Sequence, residues 1–183
     1  MNRILIPVAT VVVAAAALAA PALAATPATT TTTTAAPTPV QGSHMDVMLY
    51  VDTVQSTHPK YGVNPAIGCS ITNYFQRGNG VVFRVWGVET STGNALTTSN
   101  VKYAYVKVPN PANAASPTII KLNYGAHGTG ATARAYWTAA WDVAPDYPLG
   151  VVPFRVVFRT VANKFGQFDQ NYLPAPSQLT ITP

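Results

Sequence analysis

A chain of 183 residues that is 48% hydrophobic, 10% aromatic and only 9% charged, with a single Cys and a formal net charge of +5, excludes three classes at once. A disulfide-stapled scaffold needs paired cysteines, a coiled coil needs far more Glu and Lys, and a wholly disordered chain cannot carry this apolar fraction. The length suits one small domain, and its basic residues form no run of three, so nucleic acid is not an expected partner.

The chain opens with the pattern of a secretory leader. Arg3 supplies the positive start, Ile4 to Ala20 the apolar run, and Ala22-Leu23-Ala24 a small-residue cleavage site. Residues 1–24 are therefore read as a signal peptide, which places the mature protein outside the cell or in the periplasm or cell envelope. Pro21 interrupts the run and no second one follows, so no transmembrane segment is expected in the mature chain. Loss of Arg3 with the leader leaves 10 basic and 6 acidic residues. That mild basicity suits anionic envelope polymers.

Residues 25–45 read as a disordered linker. Thr29 to Thr34 are six consecutive threonines flanked by Pro27, Pro37 and Pro39, a composition too polar to offset its own ordering entropy. Gly42-Ser43-His44-Met45 matches the residues left by a common cloning vector, and His44 is given no function.

From residue 46 to 183 the signal changes to short β segments. Asp46 to Val54 alternates, with Val47, Leu49 and Val51 on one face; Val81 to Val88 follows the turn Arg77-Gly78-Asn79-Gly80. Val101 to Val108 sets Tyr103 and Tyr105 against Val106 and Val108, and Thr118 to Tyr124 groups Ile120, Leu122 and Tyr124. Gly125 to Gly130 reads as a flexible loop that exposes His127. In Ala131 to Trp141 helix competes with strand because five of the eleven residues are Ala; strand wins because Ala133, Ala135, Trp137, Ala139 and Trp141 share one parity. Gly150 to Thr160 aligns Val152, Phe154, Val156 and Phe158 as core, with an edge or bulge at Pro153. Phe165 to Phe168 and Gln178 to Thr182 complete the sheets.

Eight or nine such strands with turns between them and no amphipathic helix predict an all-β fold, a single antiparallel β-sandwich. The run from Trp137 through Trp141-Asp142 and Pro145-Asp146-Tyr147-Pro148 into the alternating segment after Gly150 resembles the penultimate strand pair of bacterial immunoglobulin-like and fibronectin-like domains. The resemblance covers about 25 residues and implies an immunoglobulin-like sandwich with Tyr147 packed at a corner. The paired cysteines of true immunoglobulin domains are missing, and a fold of this kind implies no activity by itself.

No enzymatic constellation emerges. Asp142 and Asp146 are the nearest carboxylate pair for glycosidase chemistry, but both fall in a turn where Asp serves the backbone. No G-x-S-x-G occurs, and Gly125, Gly128 and Gly130 reverse the spacing of a dinucleotide loop. Cys69 has no intramolecular disulfide partner, and the ordinary reading of a free Cys is a buried one. No cofactor is expected; as an alternative, His58, Cys69 and His127 are soft enough for copper if they converge.

Aromatic side chains offer the remaining chemistry. Trp137 and Trp141 share the core parity, whereas Trp86, beside Arg84, and Tyr136 lie on the opposite one. Arg84, Trp86, Tyr136 and His127 are thus the candidate binding residues, for stacking on sugar rings or burial in a partner. The leading expectation is an exported, non-enzymatic module that binds a protein or a cell-envelope polymer. A copper-handling or redox accessory protein is the alternative, and a carbohydrate-binding module the third.

Overall fold

Apolar side chains with a period of two bury one face of a strand and leave the other to a different environment, and this rule builds nearly the whole domain. The structure, a computed structural model, describes residues 46–62, 65 and 68–183; the expected leader at 1–24 and the expected linker at 25–45 lie outside the described residues. The strands are β1 (Val47–Gln55), β2 (Tyr74–Gln76), β3 (Gly80–Glu89), β4 (Val101–Val108), β5 (Thr118–Lys121) and β6 (Asn123–His127). They continue as β7 (Arg134–Asp142), β8 (Gly150–Val151), β9 (Arg155–Thr160), β10 (Phe165–Asp169) and β11 (Thr180–Thr182). Among the described residues the only helical elements are 3₁₀ turns at Gly130–Thr132, Gln170–Tyr172 and Ala175–Ser177. The domain is all-β.

Two four-stranded sheets form the sandwich, β1-β3-β7-β6 and β10-β9-β4-β5, and every pairing within them is antiparallel. A third, smaller sheet, β2-β11-β8, pairs β11 parallel to β2 and antiparallel to β8. Val81, Phe83 and Val85 of β3, with Trp137, Ala139 and Trp141 of β7, face Val106 and Val108 of β4 and Val156 and Phe158 of β9. Phe83 meets Phe154 at 4.9 Å between ring centroids, and Trp137 meets Phe158 edge-on at 5.3 Å. Such tilted and edge-on pairs are the favoured aromatic geometries. The buried indole N–H of Trp137 donates to the Leu96 carbonyl at 2.9 Å, so its polar atom is satisfied. At the sandwich edge Gly166 of β10 lies so close to β1 that a Cβ there would stand 2.6 Å from the Val47 Cβ.

Several predicted elements divide differently. Thr118 to Tyr124, expected as one strand, is two: β5 pairs in the second sheet and β6 in the first. The switch occurs at Leu122, which is buried and donates its N–H to the Ala104 carbonyl at 3.0 Å. Core burial thus pins the crossing point between sheets. Gly150 to Thr160 divides at Pro153, as its missing N–H demands. Val152 donates to Leu179, Phe154 closes a three-residue turn onto the Val152 carbonyl at 2.8 Å, and the core parity from Val152 to Phe158 survives the break. Residues 123–127, read in part as loop, form a strand. Strand β2 carried no apolar alternation and was not anticipated.

The half-buried Tyr147 packs edge-on against Trp141 at 5.0 Å and donates its hydroxyl to the Pro109 carbonyl at 3.0 Å, tying the β7–β8 connection to the end of β4. Burial raises its phenol above the usual value. The folded state therefore holds this proton more tightly than the unfolded chain, so its contribution is complete below about pH 10 and declines as pH rises through the folded value. Urea midpoints at about pH 8 and about pH 11 should fall more in the wild type than in Tyr147→Phe. That variant should start about 1 kcal/mol lower through loss of the hydrogen bond.

Candidate functional site

The strand register assembles the predicted binding residues on the outer face of the β1-β3-β7-β6 sheet. On β3, Val81, Phe83 and Val85 point into the core, which turns Arg84 and Trp86 outward. On β7, Trp137 and Ala139 point in, which turns Tyr136 outward. Tyr50 of β1 stands opposite Trp86, and Gly125 of β6 stands opposite Tyr136. With no side chain at Gly125, the flank of Tyr136 is open to the diagonal neighbour His127.

These placements produce a continuous aromatic strip across four strands. Tyr50 and Trp86 are 5.7 Å apart between ring centroids, Trp86 and Tyr136 4.7 Å, and Tyr136 and His127 4.2 Å with nearly parallel planes. Tyr50 at the β1 end is 63% exposed. The Arg84 guanidinium sits 5.8 Å from the Trp86 ring centroid and is held by Asp52, Nη2 to Oδ2 at 3.0 Å. Cation–π geometry and an ion pair therefore fix the same side chain. Asp52 also accepts a hydrogen bond from the Tyr50 hydroxyl, and this contact, with the carboxylate charge, raises the Tyr50 phenol above its usual value.

A cavity of about 290 Å³ opens on the same face. Its lining includes Gln55, Thr57, Cys69, Arg84, His127 and Tyr136. Two buried side-chain nitrogens on outward-facing lining residues, Arg84 Nε and His127 Nε2, have no hydrogen-bond partner, and neither has Gln55 Nε2, whose side chain the register sets on the core side opposite Val81. Such atoms are uncommon in folded proteins and call for a physical reason.

All four candidate binding residues, Arg84, Trp86, Tyr136 and His127, are thus brought together. His127 is not a loop residue: it ends β6, partly buried against Tyr136. Cys69 is exposed rather than buried, with a left-handed backbone, φ 59°; its N–H bonds to the Gln55 carbonyl at 2.9 Å along the β1 edge. Of the copper alternative's residues, Cys69 and His127 line the cavity, whereas His58 is not among its lining and contacts Thr57 Oγ1 through Nδ1 at 2.8 Å. Among the described residues no three of His, Cys, Asp and Glu form a metal-ligating group. The Asp142 carboxylate accepts from the Lys60 N–H at 2.9 Å, a long-range tether, and Asp146 is exposed. No helix among the described residues is long and apolar enough to cross a membrane.

Tyr50 and Asp52 were missed as site residues. Tyr50 and Asp52 are legible as outward parity on β1, opposite to Val47, Leu49 and Val51, but no local signal pairs them with Trp86 and Arg84. The chain matches no protein-family model, no curated protein and no solved structure.

Proposed function

We propose that the protein is an exported, non-enzymatic binding module that holds a cell-envelope glycan polymer against the outer face of the β1-β3-β7-β6 sheet. The observation that carries this reading is the strip Tyr50-Trp86-Tyr136-His127, flanked by the braced Arg84. Tyr136 and His127 stack on one another, so the strip offers a sugar ring its open end, where Tyr50 is 63% exposed beside Trp86. A polar pair, Arg84 with Asp52, sits within the face, which suits a hydroxyl-rich ligand better than the apolar centre of a protein interface. The leader at 1–24 and the Thr/Pro-rich stretch at 25–45 support export on a tether.

An immunoglobulin-like architecture goes with this reading. In constant-type immunoglobulin domains strands A-B-E-D face C-F-G. Here β1-β3-β7-β6 corresponds to A-B-E-D, and β10-β9-β4-β5 to G-F-C with one added strand. In place of a disulfide between the sheets, the Phe83–Phe154 and Trp137–Phe158 pairs bridge the core. The Tyr147 bond to Pro109 supports a corner role for that tyrosine.

Co-sedimentation of the protein with insoluble peptidoglycan, chitin and cellulose tests the function. Retention on at least one polymer is expected, with a loss of about tenfold or more for Trp86→Ala, a chain that remains folded, and no loss for Tyr103→Ala on the other sheet. Retention that ignores Trp86, or no retention on any polymer, overturns the reading.

A further inference from the structure

The second sheet carries an inference that does not depend on the aromatic strip. We propose that the outer face of β10-β9-β4-β5 docks a linear acidic polysaccharide, held by Lys107, Lys121 and Arg159 and by the exposed end of Arg155.

Parity collects the charge on this face. On β4, Ala104, Val106 and Val108 are core residues, which turns Tyr103, Tyr105 and Lys107 outward; on β9, Val156 and Phe158 are core, which turns Arg155 and Arg159 outward. Lys121 of β5 stands opposite Tyr105, and Arg155 stands opposite Lys107. Asp169 of β10, paired with Arg155, is the one carboxylate on the face among the described residues. The face therefore holds four of the ten Lys and Arg among the described residues and one of the six carboxylates, whereas six cations and five carboxylates lie elsewhere. Most of the net positive charge stands on one side of one sheet.

These charges are not neutralised within the protein. Asp169 takes Arg155 through Nε at 2.7 Å, which leaves the Nη groups of a side chain that is 51% exposed. Arg159 donates to the neutral amide oxygen of Asn163 at 2.7 Å, and among the described residues Lys107, Lys121 and Arg159 form no ion pair. Arg155 and Lys107 are like charges directly opposite one another on adjacent strands. That arrangement is unfavourable in the free protein, and an oxyanion lying between the two relieves it.

Shape and spacing choose among anionic partners. Lys107 and Arg155 line a trough of about 370 Å³ walled by Pro109, Pro117 and Pro153, with no carboxylate among the described residues that line it. A single chain enters such a trough, whereas a broad lipid surface reaches only its rim. Arg155 and Arg159 are separated by about 13 Å along β9, a thin spacing of cations, while duplex DNA carries a charge for about every 1.7 Å of its axis. A polysaccharide with one acid group per sugar is the sparser match. Tyr103 and Tyr105 stack on each other, so recognition here is by charge and not by ring faces.

Interferometry of the full chain on immobilised polygalacturonate at about 150 mM salt tests the assignment, with its methyl ester, single-stranded DNA and phosphatidylglycerol vesicles compared. Polygalacturonate is expected to bind about tenfold or more tightly than the ester, which keeps the sugars and loses the charge, and more tightly than DNA or vesicles. Lys107→Gln with Lys121→Gln should weaken binding about tenfold and keep the unfolding midpoint, since both side chains are exposed and unpaired. Lys60→Gln with Arg134→Gln removes the same charge away from the face and should change binding less than about twofold. Equal losses from the two pairs, equal binding of the ester, or tighter binding of DNA or vesicles overturns the proposal. Loss of polygalacturonate with Trp86→Ala would move the polymer to the aromatic strip and also overturns it. Polygalacturonate binding that depends on Lys107 and Lys121, with no retention on any insoluble polymer, leaves this face standing and overturns the strip.

Discussion

Phe83→Ala is expected to lower the unfolding free energy by about 3–5 kcal/mol. Phe83 has no solvent exposure and sits on the central strand β3, where its ring meets Phe154 from the opposite side of the core. Truncation removes the transfer free energy of the ring and leaves a void between two sheets that antiparallel pairing on both sides of β3 prevents from collapsing. Domains of this size are stable by only about 5–15 kcal/mol, so this single change consumes a large share of the total. Urea unfolding followed by tryptophan fluorescence measures it. A loss under about 1 kcal/mol would mean that the two sheets do not share the core described. By contrast, Trp86→Ala, on the outer face of the same strand, should remove binding with far less effect on folding.

Gln170→Ala is the second large effect. Gln170 is fully buried: its Nε2 donates to the Val152 carbonyl, and its Oε1 accepts from the Leu179 N–H at 2.9 Å. It sutures the place where Pro153 interrupts the ladder, because Val152 also donates to the Leu179 carbonyl. Removing the amide leaves the buried Leu179 N–H without its side-chain acceptor, at about 1–3 kcal/mol for a group left unsatisfied, with a cavity cost added. Gln170→Glu separates the two halves of the interaction. At neutral pH its carboxylate can still accept from Leu179 but faces the Val152 carbonyl with no proton to donate. Burial and that carbonyl raise the folded-state value of the new acid, so stability should recover as pH falls and the carboxyl becomes a donor. Unfolding midpoints near pH 7 and near pH 5 check the sign. Equal loss at both values would show that the amide acts only by filling space.

The core was legible wherever parity ran without interruption. Val81, Phe83 and Val85, Trp137, Ala139 and Trp141, and Val152, Phe154, Val156 and Phe158 are all buried where their alternation puts them. Trp86, Arg84 and Tyr136 were legible as outward for the same reason. The failures share a cause. Leu122 continues the parity of Ile120 and Tyr124, so the sequence shows no break where the chain changes sheets. Tyr74–Gln76 is too short to display a period and is held by a parallel partner more than 100 residues away. Cys69 looked apolar by type, yet the edge of β1 places it outside the core.

The sequence by itself determined which side of each strand is apolar, where turns fall and where proline forbids a ladder bond, because these depend on residues adjacent in the chain. Only the tertiary structure decided which outward residues are neighbours. Tyr50, Trp86, Tyr136 and His127 come from four strands, and their rings meet because pairing register aligns segments far apart in sequence. The same holds for Arg84 and His127, which reach the cavity from β3 and β6. Register is selected by burying the opposite face of the sheet, so the packing of the core, not any pattern in the binding residues themselves, arranges the site.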